Sequence, residues 1–385
     1  MANPCRRCGE CLSRCIYLRL TRDEAAIEMR RLDEGRPTPH LDRKCISCMA
    51  CNAFCPHGAD PYDRILHHLY ARYLSHGLPS RMRFMLPTEA TSFRTEVLKT
   101  LPADEKALVQ QWASNEPRGE MLYPSCNLII SSFLTQSGIF DDLTIAGSLE
   151  LCCGEMYYRM GLFDLTRSFA DRLTAYYADK SIKRMIFVCP ACYNMFAHIL
   201  PEQFGARFDF PRIFYLDYLR ERMERGALTF PEPLSGKVVI HDSCQGRVLG
   251  PEFMDQVRDL LRQIGLTPVE ARYAREEGLC CGIAAGAPRQ SVMDLVKVST
   301  WAHNEYGHSS GEQVATYCAG CFLTLGATGM LLPGGRPVTH LLALLAKAMG
   351  RPVEDRLDAR ARALLLGIVR HALPRYLSFD RFWIK

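Results

Sequence analysis

Apolar positions along this chain change their spacing several times, and each change marks a part. Residues 21–33 (TRDEAAIEMRRLD) have helical composition, with Thr21 placed as N-cap and Gly35 as the stop. Residues 61–76 put Ile65, Leu66, Leu69, Tyr73 and Leu74 on the inner side of an amphipathic helix, which Pro79 ends. Residues 80–118 read as a helical connector closed by Pro117-Arg118-Gly119. Beyond them, short β-type runs (120–123, 185–188, 237–241 and 313–317) alternate with helical patterns (128–136, 165–178, 253–263 and 292–304). That alternation predicts α/β architecture with parallel sheets. The segment 351–370 is arginine-rich, with Leu357, Leu364, Leu365 and Ile368 at helical spacing. It is expected to pack against the second α/β unit, with docking to a partner or a membrane surface as the alternative.

The longest apolar stretches, 341–346 and 363–369, fall well short of the roughly 20 residues that span a bilayer. The first residues, Met1-Ala2-Asn3-Pro4-Cys5, hold no basic run followed by an apolar core, so no secretory signal is expected. The expected compartment is the cytoplasm, with any membrane association peripheral, on the inner face and through a partner subunit. There thiols stay reduced and clustered cysteines serve as metal ligands rather than disulfides. Lysine plus arginine (47) exceeds aspartate plus glutamate (42) by only five, which does not point to nucleic acid.

The 18 cysteines among 385 residues carry the chemistry. Cys5, Cys8, Cys11 and Cys15 read Cys-x2-Cys-x2-Cys-x3-Cys, and Cys45, Cys48, Cys51 and Cys55 repeat it with Pro56 behind. Later the chain repeats a second design. Cys126, then Cys152-Cys153-Gly154, then Cys189-Pro-Ala-Cys192 is followed by Cys244, then Cys280-Cys281-Gly282, then Cys318-Ala-Gly-Cys321. Offsets between equivalent cysteines are 118, 128, 128, 129 and 129 residues, so one unit has been duplicated, with about ten residues fewer between the lone cysteine and the pair in the first copy. The expected divisions are a helical two-cluster ferredoxin-type module (1–78), a connector (79–118), two duplicated cysteine-rich α/β domains (119–234 and 235–348) and a helical tail (349–385).

A cubane [4Fe-4S] cluster needs four converging thiolates, and in two-cluster ferredoxins the fourth cysteine of each run serves the other cluster. The expected sets are therefore Cys5, Cys8, Cys11 and Cys55 for one cubane, and Cys15, Cys45, Cys48 and Cys51 for the other. Structural zinc prefers two separated Cys-x2-Cys pairs. Adjacent cysteines do not comfortably chelate one small tetrahedral ion but can bind different irons of a larger centre. Gly154 and Gly282 behind the pairs let the backbone approach and offer N–H donors. Zinc in one of the two copies stays open as the alternative.

The lone Cys, Cys-Cys-Gly and Cys-x2-Cys arrangement resembles the CCG cysteine-rich domain of heterodisulfide reductases and related respiratory iron–sulfur proteins. The order of ferredoxin module then two CCG domains resembles the fused catalytic chain of heterodisulfide reductase, over residues 1–350. The resemblance implies one noncubane [4Fe-4S] cluster on Cys126, Cys152, Cys153, Cys189 and Cys192, and a second on Cys244, Cys280, Cys281, Cys318 and Cys321. It also implies a small disulfide substrate split between them. This sequence departs from the pattern at Ser125, where glycine is usual, at Ser243, where proline is usual, and in the shorter first gap.

Other candidates are weaker. His241 is placed to give a proton to a leaving thiolate, with a hydrogen-bonded structural role as the alternative, and Arg247 to balance cluster charge or hold a substrate carboxylate, with a solvated or helix-capping arginine as the alternative. Tyr157 and Tyr158 read as core with a pocket-lining role as the alternative. Arg6, Arg7, Arg14, Arg43 and Lys44 offset cluster charge, dock an acidic donor, or are simply solvated. No Gly-x-Gly-x-x-Gly follows a strand, so a flavin or nicotinamide belongs on another chain. The leading expectation is an iron–sulfur oxidoreductase that reduces or forms a disulfide, partnered by a flavoprotein or a membrane cytochrome or quinone-reactive subunit. The alternative is a non-catalytic wire between a glycolate- or lactate-type flavoprotein dehydrogenase and quinone or a membrane cytochrome.

Overall fold

The computed structural model describes residues 3–286 and 291–384. The N-terminal module consists of the helices Glu10–Ser13, Arg22–Asp33, Pro39–Lys44, Ala50–Ala53 and Pro61–His76, joined by the cysteine turns. Its two cysteine runs follow the same backbone path. Arg7 and Ser47 both have positive φ (56° and 55°), as do Gly9 and Met49 (77° and 63°). Left-handed residues at these two places turn the chain sharply enough to aim successive cysteines inward. Thr21 caps Arg22–Asp33 in a full capping box with Glu24. On Pro61–His76, Ile65, Leu66 and Tyr73 are buried and Leu69 half-buried. Leu74 is exposed, contrary to its expected inward placement, because the whole last turn from Leu74 to His76 faces solvent.

Two four-stranded sheets follow, parallel throughout. The first runs Thr144–Ile145, Gly119–Tyr123, Ile182–Phe187, Arg212–Phe214, and the second Thr267–Val269, Lys237–His241, Gln313–Thr316, Val338–His340. In chain order each is 2-1-3-4. Strand order therefore reverses between the first and third strands, which pair as Leu122 with Ile186 in one sheet and Ile240 with Ala315 in the other. Such a reversal opens a crevice at the carboxyl ends of the strands, the ligand position of open α/β sheets. The central strands are buried, as strands covered on both faces must be. One expected helix is broken. Residues 128–136 form the turn Cys126–Ile129 and a 3-10 turn Ser132–Thr135, split at Ser131, whose φ of −127° is not helical.

The connector holds a 3-10 turn at Ser80–Met85 and the helices Phe93–Lys99 and Ala103–Ser114. The tail helix Leu357–Gly367 packs on Phe93–Lys99 and on Ala319–Gly329 of the second sheet unit. Fully buried Glu105 fastens these parts together. Its carboxylate accepts from Ser132, the Phe133 N–H, Arg356 and Arg360. Finally, Arg381–Phe382 pairs antiparallel with Leu78–Pro79, which brings the tail back beside the N-terminal module.

Candidate metal centres

In the N-terminal module the Cys11 thiol is pushed up to about 12 by burial and then by the nearby Cys55, Cys5 and Cys8. Cys15 is pushed up to about 12 by burial and then by Cys48. Cys51 is raised by burial, then by Cys11, Cys45, Cys48 and Cys15. The fourth cysteine of each run thus lies near members of the other run, Cys55 near Cys11, and Cys15 near Cys48 and Cys51. The Arg7 N–H donates to Cys5 Sγ and the Ser47 N–H to Cys45 Sγ, both at 3.4 Å, so the left-handed residues also supply a backbone donor to each run.

The other ten thiols come from the carboxyl ends of strands. Cys126 and Cys244 follow the first strand of each sheet, and Cys189 and Cys318 the third, so they flank the crevice where strand order reverses. Ser125 and Ser243 each cap the turn that begins with the lone cysteine, accepting from the N–H groups of Leu128 (3.2 Å) and Gly246 (3.0 Å). Serine thus has a local role at both positions where the family pattern differs. The adjacent pairs are followed by left-handed glycines, Gly154 (φ 80°) and Gly282 (φ 100°). Their N–H groups point back at Cys152 Sγ (3.5 Å) and Cys280 Sγ (3.3 Å).

The thiols of both sets form an unbroken line of close neighbours. The line goes from Cys126 through Cys152, Cys153, Cys192 and Cys189, crosses to Cys318, and continues through Cys321, Cys281 and Cys280 to Cys244. Cys192 and Cys153 sulfurs are 3.3 Å apart, and no cysteine is in a disulfide. Cys153 is held below the usual thiol range by hydrogen bonds from Cys152 and Cys192, and Cys281 likewise by Cys280 and Cys321. The two sets face each other because the lone-cysteine turn of each half packs on the Cys-x2-Cys helix of the other: Cys126–Ile129 on Ala319–Gly329, and Cys244–Val248 on Pro190–Asn194. Asn194 donates to Gln245 across this interface at 2.9 Å. Between the halves lies a cavity of about 60 Å³ lined by eight of the ten thiols together with Arg94, Asn127, Glu155, Arg159 and Gln245.

Three almost fully buried arginines reach the sulfurs. Arg94, from the connector, donates to Cys126 (3.1 Å), Arg159 to Cys244 (3.7 Å) and Arg247 to Cys48 (3.8 Å). Arg159 is paired with Glu155 and also donates to the Ser47 carbonyl. Arg247 is neither solvated nor on the cavity wall; it lies between Cys48 and the Gly278 carbonyl, close to Cys244, Tyr17 and Cys280. The Cys280 N–H donates to the Tyr17 hydroxyl at 2.9 Å, so Tyr17 also joins the second set to the N-terminal module. His241 is fully buried and pushed down to about 4 by that burial. Its Nδ1 meets the Tyr306 hydroxyl at 2.5 Å and Nε2 has no partner, while one ring nitrogen lies within 4.8 Å of the Cys281 and Cys321 sulfurs.

The remaining candidates lie elsewhere. Arg7 pairs with Asp33, Arg14 covers the Phe54 ring at 4.5 Å and Lys44 donates to the Leu18 carbonyl. Arg6 and Arg43 are exposed. Tyr157 and Tyr158 are core residues, the first tilted against Phe169 (4.9 Å) and the second edge-on to Tyr62 (6.4 Å), and neither lines the cavity. Arg94, Arg159 and Tyr17 were not singled out from sequence. Arg94 lies far from any cysteine motif, and nothing at its position in the chain signals its role.

The donor set fits iron–sulfur groups. Among the described residues no carboxylate pairs with Arg94 or Arg247. A buried guanidinium without a counter-charge is strongly unfavourable, and metal-bound thiolates are the anions at hand. The His241 imidazole, whose Nε2 has no partner, lies beside the Cys281 and Cys321 sulfurs.

These features define an iron–sulfur protein of oxidoreductase type, a ferredoxin-type module joined to two cysteine-rich α/β domains. Residues 4–60 match the 4Fe-4S dicluster domain family, and residues 123–197 and 238–326 match the CCG cysteine-rich domain family. The chain thus carries one ferredoxin-type 4Fe-4S dicluster domain and two CCG cysteine-rich domains. It is 27% identical over 192 residues to an EtfAB:quinone oxidoreductase of Syntrophomonas wolfei subsp. wolfei, a match covering 48% of this chain and 26% of that protein. No described helix is long and apolar enough to cross a membrane.

Proposed function

We propose that this chain conducts electrons from its N-terminal module to the cavity between the two CCG domains and exchanges them there with a small disulfide–dithiol couple. The supporting observation is the continuous line of ten neighbouring thiols, eight of them lining one cavity, with Cys189 beside Cys318 across the interface. Two facing centres suit a substrate with two sulfur atoms. Reduction is R–S–S–R′ + 2 e⁻ + 2 H⁺ giving R–SH and R′–SH, and the reverse forms the disulfide.

In this reading Cys5, Cys8, Cys11 and Cys55 hold one cubane cluster, and Cys15, Cys45, Cys48 and Cys51 the other. Cys126, Cys152, Cys153, Cys189 and Cys192 hold one noncubane cluster, and Cys244, Cys280, Cys281, Cys318 and Cys321 the second, with zinc in one CCG domain as the alternative. When bound, these groups supply one-electron transfer and iron with affinity for sulfur. The chain's own residues hold the charge and shape the space. Arg94 and Arg159 each place a guanidinium beside a lone cysteine at the cavity wall, where thiolate charge is concentrated. Arg247 and Tyr17 bridge the N-terminal module and the second set, and His241 presents an imidazole nitrogen there.

A flavoprotein, or a membrane cytochrome or quinone-reactive subunit, is the electron partner in this reading. A second reading makes the chain a wire between a flavoprotein and quinone; the name of its 27% identical relative favours it. The deciding experiment is anaerobic. Protein with full iron content is mixed with reduced viologen, and small disulfides are added, with EPR of the oxidised protein recorded with and without thiol. Disulfide-dependent viologen oxidation and a thiol-dependent paramagnetic signal support the first reading. Full iron with neither response overturns it in favour of the wire.

A further inference from the structure

The tail helix Leu357–Gly367 buries Leu357, Ala361, Ala363 and Gly367 against the connector and the second CCG domain. Past the helix the chain runs through a π turn (Ile368–Ala372) and a 3-10 turn (Leu373–Arg375), and from Leu366 onward apolar side chains face outward: Leu366, Val369, Leu373 and Leu377 are all exposed. Large apolar side chains exposed together in one place mark an interaction surface. The concentration is local. Among the described residues, seven of the twelve exposed large hydrophobic side chains fall within residues 366–383, including Leu377 (85% exposed) and Phe379 (98%). Trp383 continues the patch, donating from its indole to the Leu74 carbonyl at 3.4 Å, and Leu74 is itself exposed.

Charge identifies the occupant. Between residues 362 and 383 the chain has four arginines, Arg362, Arg370, Arg375 and Arg381, against one carboxylate, Asp380. Arg362, Arg370 and Arg381 are exposed. A second arginine layer lies behind the patch, with Arg81 over the Tyr376 ring at 5.2 Å and Arg83 over the Phe382 ring at 3.9 Å. Leucines with exposed Phe and Trp, flanked by arginines and nearly free of acids, match the surface of an anionic bilayer. Apolar side chains enter at the headgroup boundary and guanidiniums pair with lipid phosphates. We infer that residues 366–383 form a docking surface for an anionic lipid membrane, on which the protein lies without crossing it. This goes beyond the proposed redox function and does not depend on it.

The test uses the full chain with its metal, purified anaerobically, and flotation with vesicles of phosphatidylcholine alone or mixed with phosphatidylglycerol. Binding to the mixed vesicles is expected, weakened by salt, with little binding to phosphatidylcholine alone. The double variant Leu377→Ser/Phe379→Ser is expected to lose at least about tenfold in affinity, since both side chains are almost entirely free of intramolecular packing. Its unchanged iron content and visible spectrum would show that the fold persists. Arg370→Gln/Arg381→Gln is expected to flatten the salt dependence. No binding to mixed vesicles, binding that the double variant leaves intact, or a lipid-independent dimer that the double variant abolishes would each overturn the inference. The last outcome would assign the face to a second copy. Because flotation involves no electron transfer, its result is separate from the outcome with disulfides.

Discussion

Arg247 stands three residues after Cys244, yet its Nη1 lies 3.8 Å from Cys48 Sγ in the N-terminal module. One buried guanidinium thus serves sulfurs of two different modules, close to Cys244, Tyr17 and Cys280 as well. A fixed positive charge favours the reduced, more negative state of whatever is bound nearby. Arg247→Leu is therefore expected to lower the midpoint potential of the cluster proposed on Cys15, Cys45, Cys48 and Cys51. The fall should be about 60 mV or more, tenfold in a one-electron equilibrium. EPR-monitored redox titration reads this directly, and an unchanged potential would show that the charge is screened.

His241 and Tyr123 end the first strand of their respective sheets, but they differ in what they face. The Tyr123 hydroxyl is turned to the Leu151 carbonyl, whereas His241 has a ring nitrogen within 4.8 Å of the Cys281 and Cys321 sulfurs and an Nε2 without a partner. Protein labelled with ¹⁵N-histidine is expected to show nitrogen hyperfine coupling at the second CCG centre by pulsed EPR. His241→Phe should abolish it, while Tyr123→Phe should leave both centres as they were. Absence of histidine coupling in the parent protein would place Nε2 outside the bound group.

The two left-handed glycines are not equally tolerant. A Cβ at Gly282 would lie 2.4 Å from the Leu295 carbonyl oxygen, a backbone atom, whereas at Gly154 it would lie 3.0 Å from the Phe169 ring, a side chain able to shift. Both alanine variants carry left-handed strain of about 1–2 kcal/mol. Gly282→Ala is expected to lose the iron of its centre during purification, and Gly154→Ala to keep most of its own. Iron analysis of the two variants decides it.

Glu105 joins the connector, the first CCG domain and the tail. Removing one member of a buried ion pair costs about 3–5 kcal/mol, so Glu105→Ala should lower the denaturation midpoint sharply. Burial pushes this carboxyl up, but hydrogen bonds from Ser132, Arg356 and Arg360 outweigh it and leave it below 4.5. A group lowered by folding stabilises fully above its unfolded value and loses that contribution as pH falls through the folded one. Denaturation curves should therefore show this contribution intact from pH 7 to about 5 and declining at lower pH, with the decline reduced in Glu105→Ala.

The cysteine groups, the alternation of strand and helix and the Pro61–His76 helix were all readable because each rests on spacing within a few residues. The failures share a cause too. Leu74 fits the period of its helix, but the helix outruns what it packs on, and length of core is a tertiary quantity. Residues 128–136 keep an apolar pattern, yet Ser132 is drawn to Glu105, 27 positions earlier in the chain. Arg94 and Cys126 are 32 residues apart, Arg159 and Cys244 85, Arg247 and Cys48 199. No local pattern encodes such pairs; they exist only once the two sheets have closed on each other.

That closure has a consequence of its own. Two copies of one unit that meet through the same elements, lone-cysteine turn against Cys-x2-Cys helix in both directions, form the interface of a twofold homodimer, written here into a single chain. In a true homodimer every substitution appears twice, so the two sites must stay identical. Fusion removes that constraint. Here one half has acquired His241 and Arg247 where the other keeps Tyr123 and Ile129, and only the half with Arg247 hands a guanidinium to Cys48. A symmetric assembly has no upstream or downstream; this one has been given a polarity.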